Sequence, residues 1–322
     1  MVEDSKAAPM WIGADELARR VSPGRARELL RAALAAGLDP SSDPPRTVVE
    51  AGRGQLLLMP SAGATAVGTK VVGLARDNPT RGLPTIQAVY VLMDAETLTP
   101  QALIDGIALT NLRTPAVSAV AMQSLAADDV ESAVIVGSGP QALGHAEALL
   151  ALRSVRRITV AGRDAGRAES CARRIEALTP QGGAAPAEVH ATTDGSELED
   201  AVRGAQVVMC ATSSSTPVID GAWVADGACV VAVGSHEPAS RELDSDLMAR
   251  SVVVVEDVPA ALREAGDIVQ AIDEGALDPA HLHTLSDLVG GQVRRSTDRP
   301  HVFKSVGMSW EDLVVAEGAL TG

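Results

Sequence analysis

The second half of the sequence alternates short apolar runs with helix-like stretches, and this alternation constrains the fold more than any other feature. The apolar runs have strand length, from AVIV at residue 133 to VVVV at residue 252. Because each intervening helix returns the chain across the sheet, successive strands lie parallel to one another. We therefore predict an α/β fold with a doubly wound parallel sheet.

The segment VIVGSGPQA carries a GxGxxA string between an apolar run and a helix-like stretch. Such a string alone is weak evidence, but here a strand precedes it, a helix follows it and a second strand begins about 20 residues later. Gly137 permits the tight turn, Gly139 lets the backbone approach a pyrophosphate, and Ala142 allows close helix packing. The sequence thus predicts dinucleotide binding on a Rossmann-type sheet.

Residues 46–104 follow a different pattern. Strand-like segments (RTVVEAG, GQLLLMP, VGTKVVGL and PTIQAVYVLMD) are separated by Gly, Pro, Asn and Asp, which suits antiparallel hairpins or a meander. A helix-like stretch over 106–127 then leads into the alternating part. We predict a β-rich substrate-binding and dimerisation domain at 1–113, with 301–322 folding back onto it, and the Rossmann domain at 114–300.

The end of the second strand of the alternating part, RITVAGRDAGR, indicates which dinucleotide binds. An NAD site ends this strand on an acidic residue for the ribose hydroxyls, whereas here Gly162 is followed by Arg163, with Arg167 a turn later. Arginine suits a 2′-phosphate by its charge and its donor fork. Asp164 lies one position past the usual acidic place and could contact a ribose in a longer turn. NADP(H) is therefore favoured, and NAD(H) stays possible.

Charge and composition argue against several classes of protein. The formal net charge of −15, from 27 basic and 42 acidic residues, opposes a general nucleic-acid or anionic-membrane surface. The amino-terminal stretch has no basic region followed by an apolar one, and no apolar run reaches about 18 residues, so we expect neither a signal peptide nor a membrane span. A cytoplasmic location follows. The three cysteines are widely spaced without a CxxC, so we expect no disulfide framework and no metal site.

Three basic residues of the β-rich half lie outside charge runs: Arg46 after DPP, Lys70 within VGTKVVG, and Arg113 within NLRTPA. Each alone fits a solvated face. Lys70 fits it least, because an ammonium among the valines of a strand is costly unless it has an anionic partner. The carboxylate of a small substrate would serve. With a nicotinamide cofactor, this predicts hydride transfer on a compact acid that two or three cations hold.

A histidine follows an apolar strand in the sequence VVAVGSHEP. In α/β proteins ligands bind outside the carboxyl ends of the strands, which is where His236 would lie. An isolated loop histidine more often faces solvent without a role, and only its surroundings can make it an acid or a base. His236 is a catalytic candidate on this ground, with Glu237 as a weaker alternative.

These residues belong to stretches that resemble the ornithine cyclodeaminase/mu-crystallin family over nearly the whole chain. The resemblance is carried by LLLMPSA, GTKVVG followed by NPTRGLPT, LTNLRTPAVSA, VIVGSGPQA, CATSSSTPVI, VGSHEP with RELD, and FKSVGMSWEDL. It implies a homodimer whose β-rich domains close together, with the substrate held between that domain and the Rossmann domain.

The resemblance also implies a set of binding residues. Arg46, Lys70 and Arg113 match the clamp on the substrate carboxylate, with Arg113 close to the cofactor as well. Further cofactor contacts, besides the glycine turn and the two arginines at the end of the second strand, are Thr85, Gln141, Ala142, Thr212, Val233, Gly234 and Ser305.

Two positions depart from the cyclodeaminase pattern. The cyclodeaminase has an aspartate that orients the reacting centre at the place of His236, and a glutamate near the substrate amine at the place of Leu57. A free amino acid would lose both anionic partners of its ammonium group, whereas a planar cyclic imine needs them less. The departures put ornithine cyclisation in doubt and favour reduction of a ketimine.

The sequence thus predicts an NADPH-dependent reductase of a small cyclic 2-imino acid, such as pyrroline-2-carboxylate or piperideine-2-carboxylate. Reducing a C=N bond requires a hydride on carbon and a proton on nitrogen, and an imidazole can donate that proton near neutral pH. His236 is the expected donor or imine orienter, and Lys70 is the other catalytic candidate. The alternatives are an ornithine cyclodeaminase, an amino-acid or opine-type dehydrogenase, and a non-enzymatic NADPH-binding protein.

Overall fold

A computed structural model of the chain describes residues 8–178 and 186–321, which divide into two compact units. Unit 1 is assembled from three separate pieces of the chain, so the carboxyl-terminal segment completes a structure that begins near the amino terminus. The described residues of unit 1 are 8–30, Ser42–Arg113 and 308–321, and those of unit 2 are Arg31–Ser41, 114–178 and 186–307.

Unit 1 contains a six-stranded sheet. Its strands are β1 (Met10–Ile12), β2 (Thr47–Ala51), β3 (Gly54–Ala62), β4 (Ala66–Leu74), β5 (Ile86–Asp94) and β6 (Pro100–Asp105). They lie in the order β1-β6-β5-β4-β3-β2, and neighbours are antiparallel except β1 with β6. The antiparallel meander predicted over 46–104 is confirmed for β2 to β5, whereas β1 and β6 are elements that the sequence pattern does not reveal.

Both units also contain α-helices. They are α1 (Ala14–Arg20), α2 (Pro23–Ala35), α3 (Gly106–Leu125), α4 (Pro140–Leu152), α5 (Ala165–Glu176), α6 (Gly195–Arg203), α7 (Ser245–Arg250), α8 (Val258–Glu264), α9 (Gly266–Asp273), α10 (Leu285–Val289) and α11 (Ser309–Thr321). Four of them begin at an aspartate whose carboxylate accepts first-turn N–H groups: Asp164, Asp194, Asp244 and Asp257. Within the described residues, no helix has the length and apolarity needed to cross a membrane.

Strand β4 shows why a lysine is buried in unit 1. Its side chains alternate between a buried and a half-buried face, and Lys70 falls on the buried face with Val72. Across the sheet Lys70 lies in register with Tyr90 of β5 and Met59 of β3. Helix α11 packs against β3, β4 and β5. The burial of Lys70 therefore follows from the period of its strand, and its charge must be met by nearby groups.

Unit 2 contains an eight-stranded sheet in which every neighbouring pair is parallel. Its strands are β7 (Val130–Val136), β8 (Val155–Ala161), β9 (Glu188–Thr192), β10 (Val207–Cys210), β11 (Cys229–Ala232), β12 (Val252–Val255), β13 (His283–Thr284) and β14 (His301–Lys304). They lie in the order β13-β12-β14-β11-β10-β7-β8-β9. The strand order reverses between β7 and β10, as in dinucleotide-binding sheets, and the predicted α/β fold class is confirmed.

The last domain boundary differs from the one that the sequence predicts, because strand β14 belongs to unit 2. The sequence predicts that 301–322 folds back onto the β-rich domain, but residues 301–307 belong to unit 2 and only the residues from 308 onward belong to unit 1. Strand β14 lies between β11 and β12, where Val302 and Phe303 are fully buried. A strand between two parallel neighbours is covered on both faces, which explains this apolar pair.

Candidate functional site

The glycine turn lies between β7 and α4, at the carboxyl edge of the parallel sheet. Gly137 has φ of +122°, and a Cβ there would lie 2.5 Å from the carbonyl oxygen of Ala211. Gly139 is the N-cap of α4, with Pro140 in the first turn. A Cβ on Gly139 would meet nothing within 4 Å, which leaves room for a phosphate against the backbone. With Ala142 buried beneath it, this turn fits a dinucleotide pyrophosphate.

Two arginines and an aspartate that caps a helix follow the end of β8. Asp164 caps α5, and its carboxylate accepts the backbone N–H of Arg167 at 2.8 Å. Its negative charge therefore lies at the amino terminus of a helix. The side chains of Arg163 and Arg167 are exposed at the same turn.

Glu242 joins the ends of β10 and β11. One oxygen of this fully buried carboxylate accepts the backbone N–H and the hydroxyl of Thr212, at 2.6 and 2.7 Å, and the other accepts the N–H of Gly234 at 2.6 Å. A Cβ on Gly234 would lie 1.9 Å from the Thr212 carbonyl oxygen, so only glycine fits there. Burial raises the pKa of Glu242 in spite of the opposing effects of Lys304 and of these hydrogen bonds. Two predicted cofactor contacts, Thr212 and Gly234, are thus brought together.

A buried ion pair holds the residue before His236. Lys304 Nζ lies 3.2 Å from Asp267 Oδ2 and donates to the Ser235 carbonyl oxygen at 2.7 Å. The Ser235 hydroxyl donates to Asp267 at 2.5 Å, and the backbone N–H of Glu242 donates to Asp267 at 2.7 Å. Burial alone would raise the pKa of Asp267, but Lys304 and these hydrogen bonds lower it below its usual range. His236 itself is exposed at the carboxyl edge of the sheet.

Glu256 holds the loop that follows β14. This buried carboxylate accepts the hydroxyl of Ser305 at 2.6 Å and the backbone N–H groups of Val306 and Gly307 at 2.8 and 3.0 Å. Ser305 is therefore fixed at the carboxyl edge with its proton directed at Glu256. Val233, another predicted cofactor contact, lies at the same edge, directly after β11.

Two carboxylates of α11 bring Lys70 and Arg113 together in unit 1. Lys70 Nζ lies 2.7 Å from Asp312 Oδ2, and Arg113 Nε lies 3.2 Å from Asp312 Oδ1. Arg113 Nη1 donates to Glu311 at 2.5 Å. All four side chains are buried, and we call them the buried quartet. The anionic partner that the sequence demands for Lys70 is thus supplied by the chain itself, and the formal charges of the quartet sum to zero.

Burial dominates the ionisation of the groups near the quartet. It lowers the pKa of Lys70 to about 8, against the attraction of Asp312. Asp43 accepts the backbone N–H of Trp310 at 2.6 Å and so holds the first turn of α11. Burial raises the pKa of Asp43 to about 6, against its hydrogen bonds. At neutral pH Lys70 therefore carries its charge but lies close to losing it.

Three further predicted residues occupy separate places. Arg46 is half-buried and immediately precedes β2, two strands from the strand of Lys70. Thr85 is half-buried and immediately precedes β5, and Gln141 lies in the first turn of α4. Their assignment as binding residues stays a prediction.

The cysteines do not take part in these networks. Cys171, Cys210 and Cys229 are free and buried. In 8–178 and 186–321, no three His, Cys, Asp or Glu side chains form a group that could hold a metal ion.

Sequence reasoning missed the buried acids that support the site. Glu256 directly follows an apolar strand, as His236 follows its glycine, so position at the carboxyl edge could have identified it. Glu242 lies in the motif RELD, and Asp312 lies in FKSVGMSWEDL, but neither motif says which backbone groups the acid meets. Asp267 carries no sequence signal, because its partners come from the loop that follows β11 and from strand β14.

A profile of the ornithine cyclodeaminase/mu-crystallin family matches residues 26–319. The chain belongs to this family. The resemblance that the motifs indicate is thereby confirmed, and the matched residues include the glycine turn, the buried acids Glu242, Glu256 and Asp267, and the buried quartet.

Related proteins are similar over most of the chain. A Delta(1)-pyrroline-2-carboxylate reductase of Bacillus cereus is 35% identical over 267 residues, which are 81% of this chain and 79% of the relative. The ketimine reductase mu-crystallin of Mus musculus is 33% identical over 325 residues, covering 97% and 96% of the two chains. The structure of Thermococcus litoralis Delta(1)-pyrroline-2-carboxylate reductase in complex with NADH and L-proline matches with a TM-score of 0.87 and 29% identity, over 97% and 96% of the chains.

Proposed function

We propose that this protein is a ketimine reductase that uses NADPH to reduce a small cyclic 2-imino acid to the amino acid. Pyrroline-2-carboxylate and piperideine-2-carboxylate are the candidate substrates. Pyrroline-2-carboxylate is supported by the similarity to the bacterial reductase, and reduction of a ketimine is supported by the similarity to the murine relative. The observation that carries the proposal is that one chain combines a dinucleotide-type turn in unit 2 with two buried cations in unit 1.

The substrate carboxylate is assigned to Lys70 and Arg113, with Arg46 as the third cation. An ammonium group has three protons, and Thr110 and Asp312 accept two of those of Lys70, at 3.1 and 2.7 Å. The third proton can serve a carboxylate oxygen. Because the quartet is neutral before the acid binds, one added carboxylate leaves a single negative charge, which Arg46 is assigned to offset.

The proton that the imine nitrogen needs is assigned to His236. Its backbone follows the fixed Ser235, while its side chain is exposed and so can reach a ligand. Lys70, which is charged below a pH of about 8, is the second candidate donor. Leu57 and His236 offer no carboxylate to a substrate ammonium, which supports an imine rather than ornithine.

NADPH is proposed over NADH because of the end of β8. Asp164 is engaged as the cap of α5, whereas Arg163 and Arg167 are exposed cations that suit a 2′-phosphate. The related Thermococcus litoralis reductase was solved with NADH. The preference is therefore a proposal about this chain, and the family does not decide it.

A homodimer formed through unit 1 is also proposed. Strand β2 lies at the outer edge of its sheet and is exposed along its whole length, with Val48 49% and Val49 45% exposed. Apolar side chains on a sheet edge favour pairing with another chain. Light scattering after size exclusion should show a dimer, and Val48→Lys with Val49→Lys should shift it towards the monomer. A monomeric parent protein would contradict this assignment.

The proposed reaction is tested by two assays. Loss of NADPH absorbance with each cyclic imino acid, together with formation of the matching amino acid, is the expected result. In the second assay NAD and ornithine are supplied and ammonia is measured. Ammonia release without imine reduction would favour a cyclodeaminase, and tight NADPH binding without oxidation by any imine would favour a non-enzymatic role.

A further inference from the structure

The carboxyl edge of unit 2 buries more negative than positive charge. Glu242, Asp267 and Lys304 are each at most 1% exposed, and we call them the edge triad. Lys304 lies 3.2 Å from Asp267 and offsets one carboxylate. Glu242 receives backbone N–H groups and a hydroxyl, which are neutral dipoles. The formal charge of the triad is therefore −1.

The hydrogen bonds of Glu242 favour its ionised form. Both of its oxygens accept hydrogen bonds from Thr212 or Gly234, and such bonds are stronger to a charged carboxylate than to a neutral carboxyl. Burial raises the pKa of this carboxyl, but three donors to the charged form oppose protonation. The geometry thus favours a carboxylate that forms no ion pair with a basic side chain in the described part of the chain, although Lys304 lies near enough to lower its pKa.

The triad lies on the side of the sheet where the nicotinamide half of a dinucleotide belongs. In such folds the pyrophosphate lies at the turn after the first strand, and the adenosine ribose lies at the end of the second. These positions are the ends of β7 and β8 here. The other half of the cofactor then falls towards β10 and β11, whose ends Glu242 joins.

We propose that Glu242 is a positioning residue for the nicotinamide half of the cofactor, and that the net negative charge of the edge triad favours the oxidised cofactor over the reduced one. The inference rests on the dinucleotide binding of the proposed function. A nicotinamide ring is neutral when reduced and positively charged when oxidised, so nearby buried charge changes the relative affinity of the two forms.

The preference for the oxidised cofactor favours hydride transfer to the imine while both are bound to the enzyme. Hydride transfer moves one hydrogen and two electrons from the reduced ring to the imine carbon, while the C=N π electrons take a proton at nitrogen. The imine is reduced, and the ring becomes oxidised and positively charged. A negative charge that is fixed before the reaction stabilises this product without reorganisation.

The test measures the dissociation constants of NADP⁺ and NADPH by calorimetry, on the full chain without substrate. Glu242→Gln keeps the size of the side chain and removes the charge, so the ratio of the NADP⁺ constant to the NADPH constant should rise about fivefold. Asp267→Asn should raise the same ratio, because it also removes one negative charge from the triad, at a different carboxylate. Lys304→Met, which makes the triad more negative, should lower it.

Ser235→Ala is the matched control. It removes one hydrogen bond to Asp267 without changing the charge, so the ratio of the two constants should stay the same. Circular dichroism checks folding, and Asp267→Asn carries the test if Glu242→Gln does not fold. Equal changes in both constants for the two charge-removing variants would overturn the inference alone. Failure of the parent protein to bind either nucleotide would overturn the proposed function as well.

Discussion

The buried quartet of unit 1 and the edge triad of unit 2 both bury charge, but in different proportions. The quartet pairs two cations with two carboxylates through side-chain contacts of 2.5 to 3.2 Å. The triad has one cation for two carboxylates, and backbone N–H groups hold the unpaired one. The first cluster is neutral, and the second is negative.

The difference indicates which charge each region can accept. A neutral cluster that keeps one ammonium proton suits an added carboxylate, whereas a cluster with net negative charge suits a group that becomes positive. Neither is explained by stability, because buried ion pairs often contribute less than apolar side chains of the same volume. The charge balance thus supports assigning the substrate acid to the quartet and the oxidised nicotinamide to the edge triad.

Breaking the quartet should have the largest effect. Lys70→Met leaves Asp312 without its ammonium partner, so the free energy of unfolding should fall by about 3–5 kcal/mol, measured by urea denaturation. Adding Asp312→Asn removes the excess negative charge of the cluster and should recover part of that loss. Both the single and the double variant should be unable to reduce the imine, because both lack the Lys70 ammonium that is assigned to the substrate carboxylate. Unchanged stability and Michaelis constant in Lys70→Met would contradict the role of the quartet.

The next prediction concerns the donor of the proton to the imine nitrogen, which is assigned to His236 of unit 2. His236→Asn should lower turnover about 100-fold, since it removes the proposed acid, with little change in the NADPH dissociation constant. Steady-state kinetics and calorimetry measure the two quantities. Glu237→Gln is the comparison variant. A loss confined to Glu237→Gln would move the proton source to the neighbouring carboxyl, and unchanged turnover in His236→Asn would rule out proton donation by that side chain.

The cofactor preference should change by a smaller factor. Arg163→Ala should weaken NADPH binding about tenfold, because a charge-assisted contact to the 2′-phosphate is lost, and should barely change NADH binding. Arg156→Ala is a matched control, since it removes an exposed arginine of β8, the strand that ends before Arg163, and this arginine pairs with Glu131 instead. Equal weakening of NADPH and NADH by Arg163→Ala would contradict the assignment.

The pH dependence of acid binding should be the smallest effect. Lys70 has a pKa lowered to about 8, so it loses its charge as the pH rises through 8, well before an ordinary lysine. Affinity for pyrrole-2-carboxylate, a planar acid without an imine nitrogen to titrate, should therefore fall about twofold between pH 7 and pH 8. Lys70→Arg should remove this fall. A flat titration of the parent protein up to pH 10 would place the carboxylate elsewhere.

The lowered pKa of Lys70 affects the free energy of unfolding in the direction opposite to its effect on acid binding. Above pH 8 the folded chain binds fewer protons at Lys70 than the unfolded chain does, so the contribution of this group to stability rises with pH until the unfolded lysine also titrates. Acid binding and this part of the stability should therefore change in opposite directions over one pH interval.

The sequence predicts the fold where the pattern is local. The alternation of apolar runs and the glycine turn are read within a few residues, and they predict the parallel sheet correctly. The position of β14 is not local, because the insertion of HVFK between β11 and β12 depends on strands distant in the chain. Strand β1 is only Met10–Ile12, too short to show a period.

The candidate site shows the same limit. That Lys70 needs an anion follows from its valine neighbours, but its partner Asp312 lies 242 residues later. Glu242 is visible as part of RELD, yet its bonds to Thr212 and Gly234 require two strand ends that only the folded sheet brings together. The sequence thus predicts that a buried charged residue has a partner, but only the tertiary structure shows which residue that partner is.

A crystal structure with NADP⁺ and pyrrole-2-carboxylate tests the account most directly. We expect the acid's carboxylate within hydrogen-bond distance of Lys70 and Arg113, and the nicotinamide beside Thr212 and Gly234. A carboxylate bound away from both cations, or a nicotinamide away from the strand ends that Glu242 joins, would contradict the assignment of the two regions.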